Sequence, residues 1–284
     1  MARKNIAVLV IDPEKDFMDD ADSALPVPGA NADMDRLSLM IHRRRRKIDK
    51  IAVTIDQHQL LHIAHPLFWV NADGKHPEPM LTVITYDDVR VGRWMPFVKN
   101  LQTHAVKYTF RLKEEGKYQL TIWRPHCIIG TKGEMVQELL NNALQEWVST
   151  RCDHLRQIKY VYKGSNPLTE HYGALIAEVP LVDDPGTWLN HDFLNWLREA
   201  DEILVAGEAF SHCVMATVSQ MIQFIGREHV KKIRLLTDCM SCIPAIRNSQ
   251  TGAMIADFPG ITKAWVKKIQ RQGVIVTDSV SYWK

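Results

Sequence analysis

Short runs rich in apolar and β-branched residues recur along the chain at Ile6–Ile11, Ile51–Ile55, Ile158–Tyr162, Glu202–Ala206, Ile233–Thr237 and Val274–Val276. Most lack the strict apolar–polar alternation of a half-exposed strand. They read instead as strands buried on both faces, as in a parallel sheet. Between them, apolar residues fall at helical spacing. Met34, Leu37, Leu39, Met40 and Ile41 predict a helix over about 31–45, and Met135, Leu139, Leu140, Ala143, Leu144 and Trp147 predict one over about 133–148. Further helices are predicted over about 189–199 and 259–270, and from about Ser211 onward, where Val214, Val218, Ile222 and Ile225 form a stripe. Strand and helix in alternation predict an α/β fold: a three-layer α/β/α arrangement on a mainly parallel, roughly six-stranded sheet.

Residues 66–122 break this period. They hold Phe68, Trp69, Trp94, Phe97, Tyr108, Phe110 and Tyr118 among scattered Lys, Arg, Gly and Pro. Leu81–Tyr86 is rich in strand formers, and Val106, Tyr108 and Phe110 alternate with other residues, so both predict short strands. The expectation is a single domain over 1–284 with 66–122 as an inserted lid or subdomain.

The 284-residue chain is 46% hydrophobic with a formal net charge of +2, which suits a soluble globular protein and gives no electrostatic case for nucleic acid. His42–Lys47 is a basic run, but at a helix C-terminus such cations complement the macrodipole. Five Cys, an odd number without small-scaffold spacing, predict reduced thiols and a cytoplasmic setting. The N-terminal residues lead straight into a strand without a signal-peptide pattern, and no apolar run is long enough to span a bilayer. No nucleic-acid or membrane partner is expected, and a homo-oligomer is left open.

Candidate chemistry gathers where apolar runs end. Asp12, Asp56, Lys163, Cys213 and Asp238 each lie at or just past the end of such a run. In a parallel sheet, ligands bind outside the carboxyl ends of the strands, so these residues can converge on one crevice. Each has a plainer reading: Asp12 as a turn cap, Lys163 as an exposed charge, Cys213 as a small core residue. Cys213 follows a Gly turn near a helix start, a position that lowers a thiol pKa and favours a nucleophile. Asp56, His58, His62 and His65 crowd one segment after a strand, and Asp-x-His can aim two ligands at one ion. His126, beside Pro125, reads as a further ligand or a surface residue. Cys239 and Cys242 form a C-x-x-C without the context of a redox motif. Thiol, carboxylate and ammonium together imply acyl transfer: hydrolysis of an amide through a thioester.

The segments resemble the isochorismatase-like cysteine hydrolases, and within them the nicotinamidases. Asp12-Pro13-Glu14-Lys15-Asp16-Phe17 resembles the D-x-Q-x-D-F opening, and Pro26–Ala30 the loop after it. Asp56-Gln57-His58 followed by His62 is similar to D-W-H-x-x-x-H. Trp123-Arg124-Pro125-His126-Cys127 resembles W-P-x-H-C, with Gly130-Thr131 continuing it, and Lys163-Gly164 resembles K-G. Gly207–Val214 resembles G-x-A-T-D-x-C-V. The resemblance implies Asp12, Lys163 and Cys213 as a catalytic triad. It implies Asp56, His58 and His126 as ligands of one divalent metal, with His62 as a ligand or near neighbour; zinc is the usual ion, iron and manganese the alternatives. Phe17 and Trp123 are implied to sandwich a substrate ring, with Tyr172 also in the pocket. The Ala209 and Cys213 amides are implied as an oxyanion hole beside a cis Glu208–Ala209 bond. The implied reaction converts nicotinamide to nicotinate and ammonia, with the metal holding the ring nitrogen.

The chain departs from the pattern at Glu14 for Gln, Gln57 for an aromatic residue, Arg124 for Pro and Phe210-Ser211 for Thr-Asp, and the segment from His65 to Trp123 is long. Two other functions fit parts of the pattern. A metal-free hydrolase of the same fold, acting on another small amide or ureide, would not need Asp56, His58 and His126. A non-catalytic binding protein would not need Asp12, Lys163 and Cys213 together.

Overall fold

The computed structural model describes residues 3–115, 118–150, 155–247 and 251–284. Met1 and Ala2 of the N-terminal segment, and residues 116–117 of the 66–122 region, lie outside the described residues.

Six strands form the central sheet: β1 Ile6–Ile11, β2 Lys50–Asp56, β3 Ile158–Lys163, β4 Glu202–Gly207, β5 Ile233–Leu236 and β6 Ile275–Thr277. Their order is β6-β5-β4-β1-β2-β3, and every pairing is parallel. Central β1 is flanked by β2 and β4, and Ala7 to Ile11 are fully buried. That is why this run shows no polar alternation: both faces are covered. Each such Val, Leu or Ile contributes about 1.5–3 kcal/mol through burial. Helices flank the sheet in a three-layer α/β/α arrangement. Helix Ala30–Arg44 follows β1 and packs on helix Glu138–Ser149, which follows β2.

After β1 the chain builds outward through β2 to β3, then returns to the other edge of β1 for β4 and proceeds to β5 and β6. Strand order therefore reverses between β1 and β4. A crevice opens there at the carboxyl ends.

Leu39, expected on the apolar stripe of helix Ala30–Arg44, faces outward instead, and three further sequence expectations fail. Val106, Tyr108 and Phe110 lie not on a strand but in helix Gln102–Glu114. Ala105, Tyr108, Thr109 and Leu112 form its buried stripe at helical spacing, while Phe110 faces outward. The helix predicted from 133 begins only at Glu138. Val136 bridges Glu14, holding the preceding segment extended, and the Gln137 side chain caps the helix by accepting from the Leu140 amide. Met135 and Leu139 are accordingly exposed rather than on an apolar face. The Leu81–Tyr86 strand shrinks to Val83–Ile84, because Thr85 and Asp88 form a capping box that starts helix Tyr86–Arg90.

Within 66–122, Phe68, Trp69, Ile84, Tyr108 and Leu112 join the same hydrophobic cluster as the sheet. Among the described residues, no helix is long and apolar enough to cross a membrane.

Candidate active site

Four strand ends meet at the crevice. Asp12 follows β1 with a left-handed φ of 44°, which turns its carboxylate away from the strand path. Asp56 and Lys163 end β2 and β3 and are direct register partners. The Lys163 ammonium lies 2.9 Å from Asp12 Oδ2 and 2.9 Å from Asp56 Oδ1, and it donates to Cys213 Sγ at 3.7 Å. Thr54 secures Asp12 from the adjacent strand: its hydroxyl donates to the carboxylate and accepts from the Asp12 amide at 3.0 Å. All of these groups are buried. Asp238 is not brought to them. β5 lies two strands from β1, and Asp238 accepts from the Ser279 amide and hydroxyl at 2.8 and 2.6 Å, clamping the C-terminal segment.

Cys213 is delivered by a turn that only glycine permits. Gly207 has φ 121°, and a Cβ there would fall 1.9 Å from the Ile11 carbonyl oxygen. The Glu208–Ala209 peptide bond is cis. A π-helical turn, Phe210–Val214, then carries Cys213 and leads into helix Met215–Phe224. The helix start after the Gly turn was expected to lower the thiol pKa, and that lowering is absent. Burial pushes the Cys213 thiol well up; Lys163 opposes this, while Asp12 and Asp56 add to it. The resting group is therefore a thiol within hydrogen-bonding reach of Asp12.

Burial also raises the Asp12 carboxyl, against the pull of Lys163. For Lys163, burial would lower the ammonium, but Asp12, Asp56 and Cys213 outweigh it and hold the group well above the usual lysine range. Burial would raise Asp56, but His58, Lys163 and His126 prevail and hold it well below the carboxylate range. Asp12 and Asp56 thus share one ammonium yet differ in character: Asp12 is poised to take a proton, whereas Asp56 stays an anion.

Asp56 faces a knot of imidazoles. Its Oδ2 lies 3.4 Å from His58 Nδ1 and 3.6 Å from His126 Nε2. One ligand atom from each of Asp56, His58 and His126 fits within a 4.8 Å group, and His58, His62 and His65 form a second such group. Neither ring nitrogen of His58 has a hydrogen-bond partner among the described residues, although the ring is fully buried. An orphaned imidazole beside a buried anion and a second imidazole is what a divalent ion would satisfy, so the residues fit a metal. His126 is preset for it: its Nδ1 contacts the Arg124 carbonyl at 2.7 Å, leaving Nε2 toward Asp56. Burial and neighbouring His58 hold His62 down to about 3 and His65 to about 2, so both are neutral.

Sequence reasoning missed Glu170. Its carboxylate is buried 3.6 Å from His58 Nε2, and this close approach to the imidazoles outweighs burial to keep it ionised. Nothing marks it in sequence beyond a polar loop after Lys163. Glu14 was also missed as a support: it accepts from the Asp56 amide.

Beside Cys213 and Asp56 lies a small pocket. Phe17, Trp123, His126, Tyr172 and His212 bring rings to it, and Leu25, Ala209 and Ile243 supply apolar wall. The Trp123 indole donates to the Tyr172 hydroxyl at 2.8 Å, and Phe17 meets His126 edge-on at 5.4 Å. His212 was also unassigned by sequence; it packs against Trp123 at 5.0 Å and Phe258 at 4.6 Å. Tyr118, from the 66–122 region, packs on Tyr172 at 5.1 Å, so that region braces the pocket wall. Cys127, Cys213, Cys239 and Cys242 are all free thiols.

No family model matches the chain. Over 121 residues it is 31% identical to the nicotinamidase of Escherichia coli (strain K12), a match covering 42% of this chain and 45% of the relative. The chain thus spans less than half the length of that curated relative. Among solved structures, it is similar to the yeast nicotinamidase bound to the inhibitor nicotinaldehyde, with TM-score 0.61, 21% identity, and coverage of 96% of this chain and 99% of that one. The pyrazinamidase of Pyrococcus horikoshii in complex with zinc gives TM-score 0.54 and 18% identity over 96% of this chain and 99% of that one. At these identities the structural likeness establishes the fold.

Proposed function

We propose that this protein is a nicotinamidase of the isochorismatase-like superfamily, a cysteine amidohydrolase that converts nicotinamide to nicotinate and ammonia. The observation that carries this reading is Lys163, which touches Asp12 and Cys213 on one side and Asp56 of the imidazole knot on the other. It joins an acyl-transfer triad to a metal-fitting cluster beside one aromatic pocket. The match to the Escherichia coli nicotinamidase supports the substrate class.

In the proposed reaction, Cys213 Sγ attacks the amide carbon as its proton passes to Asp12. The C–N bond breaks, Asp12 protonates the departing nitrogen, and ammonia leaves a thioester on Cys213. Water then attacks the thioester, giving one proton to Asp12, which returns it to Cys213 sulfur; the product leaves as the acid and loses its remaining proton to solvent or to the released ammonia, giving nicotinate. Asp12 begins and ends each cycle in the same state. Lys163 stays charged throughout and orients both carboxylates. The Ala209 and Cys213 amides stabilise the oxyanion, and Phe17, Trp123 and Tyr172 enclose the ring. Asp56, His58 and His126 would hold a divalent ion, which would supply a Lewis acid beside the ring; the zinc in the Pyrococcus horikoshii pyrazinamidase favours zinc here.

The test is ammonia release from nicotinamide, with bound metal quantified on the same preparation. The expected result is turnover with about one ion per chain. Turnover of maleamate or a ureide in the absence of metal, without activity on nicotinamide, would replace this reading with the metal-free one.

A further inference from the structure

Glu208 precedes Ala209, whose amide the proposed reaction sets at the oxyanion, and its side chain is fully buried. Its Oε2 accepts from the Ser241 amide at 3.1 Å, but its Oε1 has no hydrogen-bond partner among the described residues. Asp33, also buried, lies beside it on helix Ala30–Arg44. Asp33 Oδ1 pairs with Arg36, while its Oδ2 has no partner among the described residues. Two neighbouring buried carboxyl groups, each with one oxygen lacking a donor, would repel each other as anions. One proton between them satisfies both. Arg36 sits on the Asp33 side of the pair, so the proton belongs to Glu208. Burial, with Asp33 and then Cys242 close by, accordingly raises the Glu208 carboxyl well above the carboxylate range.

The pair closes a ring of contacts around the turn that delivers Cys213. Arg36 donates to the Asp238 carbonyl, at the start of the loop that carries Ser241. The Ser241 carbonyl accepts from the Phe210 amide at 2.8 Å. Ser241 thus grips the chain on both sides of Ala209: its amide holds the Glu208 side chain and its carbonyl holds the Phe210 backbone. Between these grips, the Ala209 amide donates to no protein group among the described residues, and Ala209 lines the pocket beside Cys213. Glu208 falls at the unspecified second position of the G-x-A-T-D-x-C-V pattern.

We propose that Glu208 is a positioning residue: carrying a proton, it donates to Asp33 while accepting from Ser241, and so fixes the Ala209 amide where the oxyanion forms. This inference rests on the amidohydrolase reading, because it concerns the oxyanion hole of that reaction. Glu208 acts through Ala209.

The test measures kcat and KM for ammonia release from nicotinamide by the full, metal-loaded chain, with infrared difference spectra at neutral pH. In Glu208→Gln an amide can still accept from Ser241 and donate to Asp33, so kcat should stay within about threefold of the unaltered protein. Glu208→Leu keeps the bulk and loses both contacts. Its kcat should fall at least about tenfold with KM little changed, a part of the roughly 100- to 1,000-fold lost when an oxyanion donor is removed outright. The spectrum of the unaltered protein minus that of Glu208→Gln should contain one protonated-carboxyl stretch. Parental kcat in Glu208→Leu overturns the inference and leaves the amidohydrolase reading intact. Glu208→Gln as slow as Glu208→Leu also overturns it, since the charge and not the proton would then be what acts. If Glu208→Leu does not fold, a missing protonated-carboxyl stretch overturns the inference by itself, and its presence with near-parental kcat in Glu208→Gln supports it. An unaltered protein that releases no ammonia from nicotinamide overturns the amidohydrolase reading and the positioning role with it.

Discussion

Asp56 and Lys163 face each other across adjacent parallel strands, and their side chains close to 2.9 Å with almost no exposure. The same ammonium contacts Asp12 at 2.9 Å. Lys163→Met would leave two buried carboxylates without their cation. Losing one partner of a buried pair costs about 3–5 kcal/mol. Urea denaturation should show a loss of that order, with activity gone as well. A variant as stable as the parent would mean that water already reaches and solvates these carboxylates.

Cys213→Ala removes one atom from a nearly buried site and should leave the midpoint of thermal unfolding within a few degrees of the parent, as expected for about 1 kcal/mol. Ammonia release should fall by more than about 10,000-fold, the scale seen when a nucleophile is removed from a triad. Residual turnover near the parent rate would reassign the nucleophile.

Acid should unfold the metal-free protein early. Burial and neighbouring charge hold His62 at about 3 and His65 at about 2, and burial holds His171 and His212 at about 4. In the unfolded chain each takes up a proton below about 6.5. The folded state does not, so this contribution to stability is complete above about 6.5 and lost as pH falls toward those folded values. Each group contributes up to about 1.4 kcal/mol per pH unit in that window. His58 runs the opposite way, because Asp56 and Glu170 overcome burial and raise it; its contribution is present below about 6.5 and lost as pH rises through its folded value. Tryptophan fluorescence should report unfolding between about pH 6 and 4.5, before the carboxylates titrate. A transition confined below pH 4 would show that these imidazoles are already protonated in the fold.

Gly207→Ala tests the turn that delivers the thiol. The added Cβ meets backbone, not a flexible side chain, at a φ that L-residues avoid. The cost should be at least about 3 kcal/mol from clash and strain together. Near-parental stability in chemical denaturation would require β1 and β4 to separate more easily than their pairing suggests.

The sheet was readable because each strand is short, apolar and closed by a turn residue. Ile6–Ile11 before Asp12-Pro13 leaves little choice of period. The 66–122 region was not, because Val106, Tyr108 and Phe110 satisfy a two-residue period while Ala105, Tyr108, Thr109 and Leu112 satisfy a helical one, and packing chose the second. Asp12, Asp56 and Lys163 stood out because strand ends converge at a switch in strand order. Asp238 stood out equally and went elsewhere, since sequence does not reveal how far a strand lies from that switch. Glu170 and His212 carried no periodic signal; only the folded loops bring them to the cluster and the pocket.

Glu14 stands where the family pattern has glutamine, directly beneath the Asp56 amide. Burial, with Asp12 and Asp56 close by, raises its carboxyl well above the carboxylate range. A carboxylic acid that keeps its proton has one oxygen that accepts and one group that donates, in nearly the shape of a carboxamide. The substitution that looks like a new negative charge in sequence is thus, once folded, a neutral near-isostere of the residue it replaces.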